Sequence, residues 1–267
     1  MKIAAFLVSF LFLFLLKGHA QKPIVLLDYY YNNEYKTNQE GSSYQYHYIW
    51  EDTTMNGYSI WGEIFKNKGA NLEKLTTTPN KQNLSKAAIY IIVDPDTQKE
   101  SPVPHFMQME EVKIISEWVY NGGILVLLAN DSANAELPHF NSLANKFGIH
   151  FTNKTRNAVI KDISVGTILI PKGNAIFKKA KQLYLKGIST IQINHPALLC
   201  IQNDGDIIMA MSKYGKGSVF AVGDPWIYNE YIVNIRLSPS YQNEQAANEL
   251  TEWLLKQIPK NKLKFQQ

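Results

Sequence analysis

The chain has 267 residues, of which 45% are hydrophobic, 19% charged and 12% aromatic. That aromatic content and low net charge exclude a disordered chain, and a lone cysteine, Cys200, excludes an internal disulfide framework and a thiolate metal cluster. The formal charge is +4 and the basic residues are nearly all Lys, with Arg only at Arg156 and Arg236, so neither a nucleic-acid partner nor an anionic surface is expected.

Much of the apolar content lies at the N-terminus. Lys2 precedes an apolar run over residues 3–16, followed by Lys17-Gly18-His19-Ala20. Gly18 and Ala20 are small residues where a signal peptidase cutting after Ala20 needs them, and the run is shorter than the ~20 residues of a membrane-spanning helix. The expectation is a signal peptide over residues 1–20, a periplasmic or secreted protein, and no membrane attachment once the signal is removed. Loss of Lys2 and Lys17 lowers the net charge from +4 to +2.

Residues 24–27 form a short apolar run that ends in Asp28 and reads as a buried parallel strand. The stretch 29–56 is long, polar and rich in tyrosine, and reads as a functional or packed surface loop. Asn56 is placed to cap a helix over 58–68, which Gly69 stops, and a short strand follows over 72–75. Buried strands are predicted over 88–93 and 124–129, with a helix of 3.6-residue period over 109–120 between them. A helix near 139–146 stops at Gly148, and a short strand covers 149–151. Residues 160–193 alternate short β runs with a helical piece near 176–181. Residues 197–201 and 207–211 read as a hairpin, 218–222 as the last buried strand, and 244–257 as the C-terminal helix. The pattern predicts an α/β fold, a doubly wound, mostly parallel sheet of flavodoxin-like or amidotransferase-like type. One domain is expected over 21–259, with a β-rich elaboration at about 155–217 and a polar tail over 260–267.

Four apolar strands end in an acid: Asp28, Asp94, Asp131 and Asp224. Parallel strands bring such residues to one edge of the sheet, where open α/β sheets bind ligands. Tyr30, His47 and Trp50 follow the first strand, and Trp226, Tyr228 and Glu230 follow the last. Carboxylates accept hydroxyl hydrogen bonds and aromatic rings cover the apolar faces of sugars, so the set suits a polyhydroxylated ligand. The competing reading is that each acid caps the turn after its own strand. Asp94-Pro95-Asp96 is the closest acid pair, and reads either as a turn or as two groups in one cleft. Histidines are scattered without metal-ligand spacing, no cofactor motif is present, and no G-x-S-x-G nucleophile elbow occurs. Cys200 lies within an apolar strand and reads as a packed side chain.

The run Trp118-Val119-Tyr120-Asn121-Gly122-Gly123-Ile124-Leu125-Val126-Leu127 resembles the class I glutamine amidotransferase-like superfamily, which includes the trehalose-utilisation-like proteins. Ile91-Ile92-Val93-Asp94-Pro95-Asp96-Thr97, Ala129-Asn130-Asp131, His139-Phe140-Asn141 and the run from Gly223 to Tyr231 resemble, more narrowly, the accessory domain attached to unsaturated rhamnogalacturonyl hydrolases of Bacteroidetes-type bacteria. The resemblance covers residues 23–259. Where an amidotransferase carries its cysteine, this chain has Asn130-Asp131-Ser132, so that chemistry does not transfer. The chain also has neither the length nor the helical pattern of the rhamnogalacturonyl hydrolase barrel. The resemblance implies a setting in pectin (rhamnogalacturonan) breakdown. Three readings remain open. The first is an accessory module that binds an oligosaccharide, or a glycoside hydrolase partner, through Asp28, Tyr30, His47, Trp50, Asp94, Asp96, Asn130, Asp131, Asp224, Trp226 and Tyr228. The second is a glycan hydrolase whose catalytic acids come from Asp94, Asp131, Asp224 and Glu230. The third is an interaction domain without a ligand.

Overall fold

The computed structural model describes residues 22–260. The expected signal peptide lies outside the described residues, as does all of the tail beyond residue 260. In chain order the elements are β1 (Ile24–Asp28), β2 (Tyr35–Thr37), β3 (Ser43–Gln45), α1 (Ser59–Asn67), β4 (Asn71–Leu75), α2 (Lys81–Ser85), β5 (Ile89–Val93), α3 (Met109–Tyr120), β6 (Ile124–Leu128) and α4 (Leu137–Ala144). They continue with β7 (Ile149–Arg156), β8 (Thr167–Leu169), β9 (Gln182–Tyr184), β10 (Ile188–Ile193), β11 (Ala197–Asn203), β12 (Asp206–Tyr214), β13 (Gly217–Val222), α5 (Asn229–Ile232) and α6 (Asn243–Gln257).

The fold is mixed α/β around one large sheet. Its strand order is β4-β1-β5-β6-β13-β12-β10-β7, with β11 also paired to β12. The first five strands are parallel, and β12, β10, β7 and β11 add antiparallel pairings to the same sheet. Of the parallel strands, β1, β5, β6 and β13 are buried on both faces because each face is covered, whereas the edge strand β4 is largely exposed. Alternate residues point to opposite sides. Leu27, Ile91, Val126 and Phe220 join a core with Trp61 and Phe65 of α1 and Leu250 and Leu254 of α6. Leu26, Ile92, Leu127 and Val219 join a second core with Val112 and Ile115 of α3 and Phe140 and Leu143 of α4. Each large side chain buried this way contributes about 1.5–3 kcal/mol. Among the described residues no helix is long and apolar enough to cross a membrane.

Several local expectations are corrected. Asn56 does not cap α1, whose first turn is entered from Tyr58 without a side-chain cap. Instead the side chain of Asn229 accepts from Ile60 N at 3.0 Å and donates to Thr54 O at 2.8 Å. A residue remote in sequence thus supplies the cap. Residues 176–181 are not helical: Asn174 Oδ1 accepts from the backbone of Ile176 and Phe177, and Glu249 accepts from that of Lys178, Lys179 and Ala180. These side chains satisfy amides that a helix would otherwise pair. The strand predicted over 149–151 runs on to Arg156 because β10 pairs along its length. The loop over 29–56 contains the β2–β3 hairpin, which polar sequence did not signal.

The contact between the parallel and antiparallel parts is tight. Ser189 N, in β10, donates to Gly223 O at 2.9 Å, immediately after β13. A Cβ on Gly223 would lie 1.8 Å from Ser189 O, which is backbone and cannot rotate away. Gly223→Ala should therefore destabilise the protein by about 3 kcal/mol. Urea unfolding checks this, and a change below about 0.5 kcal/mol would show that β10 does not close on β13 as described.

Candidate functional site

β5, β6 and β13 lie side by side in register, with Val93 opposite Leu128 and Leu128 opposite Val222. The chain therefore leaves all three strands at one level, and the polar residues that follow converge there. They floor a cavity of about 460 Å³ that contains Asp94, Asn130, Asp131 and Asp224. Asp94 N still reaches Leu128 O at 2.8 Å, so the ladder holds its backbone while its φ is 43°. A non-glycine residue in that left-handed region is uncommon and costs free energy. Asn130 Nδ2 donates to Asp94 Oδ2 at 3.1 Å. Asp94 Oδ1 has no hydrogen-bond partner among the described residues, although Asp94 is only 4% exposed.

Asp131 closes its own turn, accepting from Ala133 N at 2.9 Å and from Asn134 Nδ2 at 3.0 Å. Asp224 is 2% exposed and accepts from Lys186 N at 2.7 Å. The wall opposite comes from the loop after β3. His47 and Tyr48 have φ of 70° and 52°, and their rings stack with centroids 3.9 Å apart. The His47 ring is fixed from the other side by Glu34 Oε1, 2.7 Å from Nδ1, and Tyr46 donates its hydroxyl to Glu34 Oε2 at 2.6 Å. Tyr228 lies 5.7 Å from Tyr48, ring to ring, and also lines the cavity. Three non-glycine residues in the left-handed region thus face one space, a concentration of strain of the kind found at ligand sites.

The electrostatics follow from burial without enough cations. Burial holds Asp94 well above the usual carboxylate range. The negative charge of Glu100 adds to this, and the hydrogen bond from Asn130 opposes it. Burial likewise raises Asp224 to about 8, against the opposing Lys186 amide and ammonium. Asp96 is raised to about 8 and Asp28 to about 6, both mainly by burial. At neutral pH, Asp96 and Asp224 therefore hold protons that exposed aspartates would have lost, and Asp94 is displaced in the same direction. Burial pushes the Cys200 thiol up to about 12, which leaves it without nucleophilic thiolate at neutral pH.

The structure brings together Asp94, Asn130, Asp131, Asp224, His47 and Tyr228 from the predicted set. The others lie elsewhere. Asp28 is fully buried, accepts from Tyr30 N and Tyr31 N, and receives the Tyr90 hydroxyl, so it closes its own loop. Tyr30 stacks on His105 at 3.9 Å. Trp50 packs edge-on to Trp61 and donates to Glu73 O at 3.1 Å. Asp96 does not join Asp94 in the cavity; its Oδ2 accepts from Asn33 N at 2.8 Å. Trp226 is 0% exposed and packs against Phe177, because the residues after Asp224 turn into the core. Glu230 pairs with Arg236 at 3.3 Å. Among the described residues, no three His, Cys, Asp or Glu side chains are grouped to hold a metal.

Tyr48, beside His47 in the tyrosine-rich loop, also lines the cavity, as do Glu100 and Lys186, which sequence did not single out. Lys186-Gly187 is a turn signal, but its arrival here depends on β10 starting where β13 ends. Glu100 sits in the loop after β5, where it accepts from Thr97 N at 3.0 Å. Ala158, Val159 and Ile160, following β7, form a partial rim, and Ile160 is 88% exposed.

A raised carboxyl stabilises the fold at low pH. The folded Asp224 keeps its proton up to about 8, whereas the unfolded side chain loses it near 3.8, so stability declines as pH rises between those values. Asp28 and Asp96 act in the same direction. Asp206 and Glu252, which Lys154 and Lys68 hold below their usual range, act only at lower pH. Melting temperature should therefore fall by about 5 °C or more from pH 5 to pH 8.5, and Asp224→Asn should flatten that slope. A melting temperature that rises over the interval, or an unchanged slope in Asp224→Asn, would contradict the assignment.

Comparison with known proteins places this geometry in context. No curated protein matches the chain. Among solved structures, the N-terminal domain of mmIFT52 is similar at 14% identity and a TM-score of 0.62, over 87% of this chain and 97% of that one. The cytoplasmic protein STM1381 from Salmonella typhimurium LT2 is similar at 11% identity and a TM-score of 0.59, over 89% and 100%. Gan42B, a GH42 beta-galactosidase from G. stearothermophilus, is similar at 14% identity and a TM-score of 0.50, over 88% of this chain but 30% of the enzyme. At these identities the likeness is one of fold. In sequence, residues 51–234 match the family described as a domain of unknown function, DUF4350, and the chain belongs to that family.

Proposed function

We propose that the protein is an exported, non-catalytic carbohydrate-binding module that takes an oligosaccharide at the end of β5, β6 and β13. The observation that carries this reading is Asp94. It is a buried, strained carboxyl group with one oxygen unpartnered, and it lines a cavity beside Asn130 and the rings of Tyr48 and Tyr228. An unpaired polar atom in such a place carries a desolvation cost of about 1–3 kcal/mol, which a ligand hydroxyl would relieve. Rings beside carboxyl and amide groups provide the mixed apolar and polar lining that a sugar needs.

Export rests on the signal pattern of residues 1–20, and the pectin setting on the motif resemblance. The order β4-β1-β5-β6-β13 supports a doubly wound, flavodoxin-like or amidotransferase-like core. Asn130-Asp131-Ser132 at the end of β6 supports a module without the amidotransferase nucleophile. A fold of this kind within a beta-galactosidase makes a glycoside hydrolase the first partner to test.

One observation favours a second reading, a glycan hydrolase. Asp224 is held protonated, as a general acid must be, burial raises Asp94 in the same direction, and Asp131 shares their cavity. Glu230, paired with Arg236 and absent from the cavity lining, is not part of that reading.

Calorimetry against pectin-derived oligosaccharides, with a parallel reducing-end assay, separates the two. The binding module predicts saturable heat and no product, with affinity falling about tenfold or more in Tyr228→Ala and in the near-isosteric Asp94→Asn. New reducing ends that disappear in Asp94→Asn would establish the hydrolase instead.

A further inference from the structure

The cavity is short of positive charge. Among the described residues that line it, Lys186 alone carries a fixed positive charge, against Glu100 and Asp131, while burial holds Asp224, and in the same direction Asp94, toward the neutral acid. The Lys186 ammonium lies 5.9 Å from the centroid of the Tyr231 ring, so part of its field is spent on an aromatic face. His47, the other group able to become cationic, has its Nδ1 bound to Glu34. Behind the lining, Glu34 and Asp96 are further acids that raise Asp94.

This charge pattern bears on pectin, whose polymers mix uronate residues with neutral sugars. Resting on the carbohydrate-binding reading above, we infer that the cavity accepts neutral saccharide residues and excludes uronates. A hydroxyl donates or accepts, so it satisfies the free Oδ1 of Asp94 whether or not that group is ionised, whereas a carboxylate only accepts and satisfies Oδ1 only when that atom carries a proton. A uronate would also set its charge beside Glu100 and Asp131, with one lysine to offset them. The occupants that fit are thus neutral galactan- or arabinan-type chains rather than the galacturonate backbone.

The buried lysine or arginine that carboxylate recognition ordinarily uses is missing from this lining. Arg156 precedes the rim residues Ala158 and Val159, but its guanidinium is committed to Asn203, Asp204 and Asp206. Selectivity therefore comes from Glu100 and Asp131, the two lining acids whose side chains are partly exposed.

The test is calorimetry of the protein at pH 7.5 with neutral galactan and arabinan oligosaccharides and with oligogalacturonates of matched length. The expected result is binding of a neutral series at least tenfold tighter than the uronate series. The ratio should narrow several-fold in the double variant Glu100→Gln, Asp131→Asn, with circular dichroism confirming the fold. Uronates that bind as tightly as the neutral oligosaccharides, or more tightly, would overturn this inference and leave the carbohydrate-binding reading standing. An unchanged ratio in the double variant would overturn the assignment of selectivity to these acids. Binding of neither series would overturn the carbohydrate-binding reading and this inference with it.

Discussion

The alignment of three parallel strand ends dictates most of what is distinctive here. β5, β6 and β13 stop in register, so the side chains of Asp94, Asn130 and Asp224 enter one enclosed space. A ladder hydrogen bond from Asp94 N to Leu128 O holds the Asp94 backbone even at its positive φ. The sheet is stiff because both its faces are packed, and a stiff sheet can hold carboxyl groups in positions they would leave in a looser frame. Their proton affinity is a consequence of that placement rather than of any special partner.

The surrounding elements complete the enclosure without neutralising it. The antiparallel extension brings Lys186 and Gly187 to the edge, and its first amides are used to seat Asp224 and to join β10 to the residue after β13. The loop after β3 supplies His47 and Tyr48, and Asn229 fastens the following segment to α1 through Thr54 and Ile60. Each connection uses neutral donors or backbone. The result is a polar, partly aromatic cavity suited to hydroxyl groups, in which Glu100 and Asp131 disfavour an anion.

Much of this was legible from residues alone. The apolar runs of β5, β6 and β13 and the acids after them predict a polar edge without knowledge of the topology, because strand period and strand length are local properties. What local pattern does not carry is register and burial. Asp28 follows the same rule as Asp94, yet the loop that follows it folds back onto Oδ1 and the hydroxyl of Tyr90, in β5, takes Oδ2. Trp226 looks like a surface aromatic after a strand and is instead wholly buried, since the chain dives beneath Phe177. Glu100 and Lys186 belong to the site through long-range pairing of segments whose sequence marks them only as turns. The helix expected near residue 176 is replaced by side-chain caps from Asn174 and Glu249, a substitution visible only in three dimensions.

The direct measurement of proton binding by the cavity acids is a site-assigned carboxyl-carbon NMR titration of Asp94 and Asp224 from pH 3 to pH 9.5. The expectation is an Asp224 midpoint of about 8 and an Asp94 midpoint well above the usual carboxylate range. Midpoints near the ordinary aspartate value of about 3.9 for both groups would contradict it.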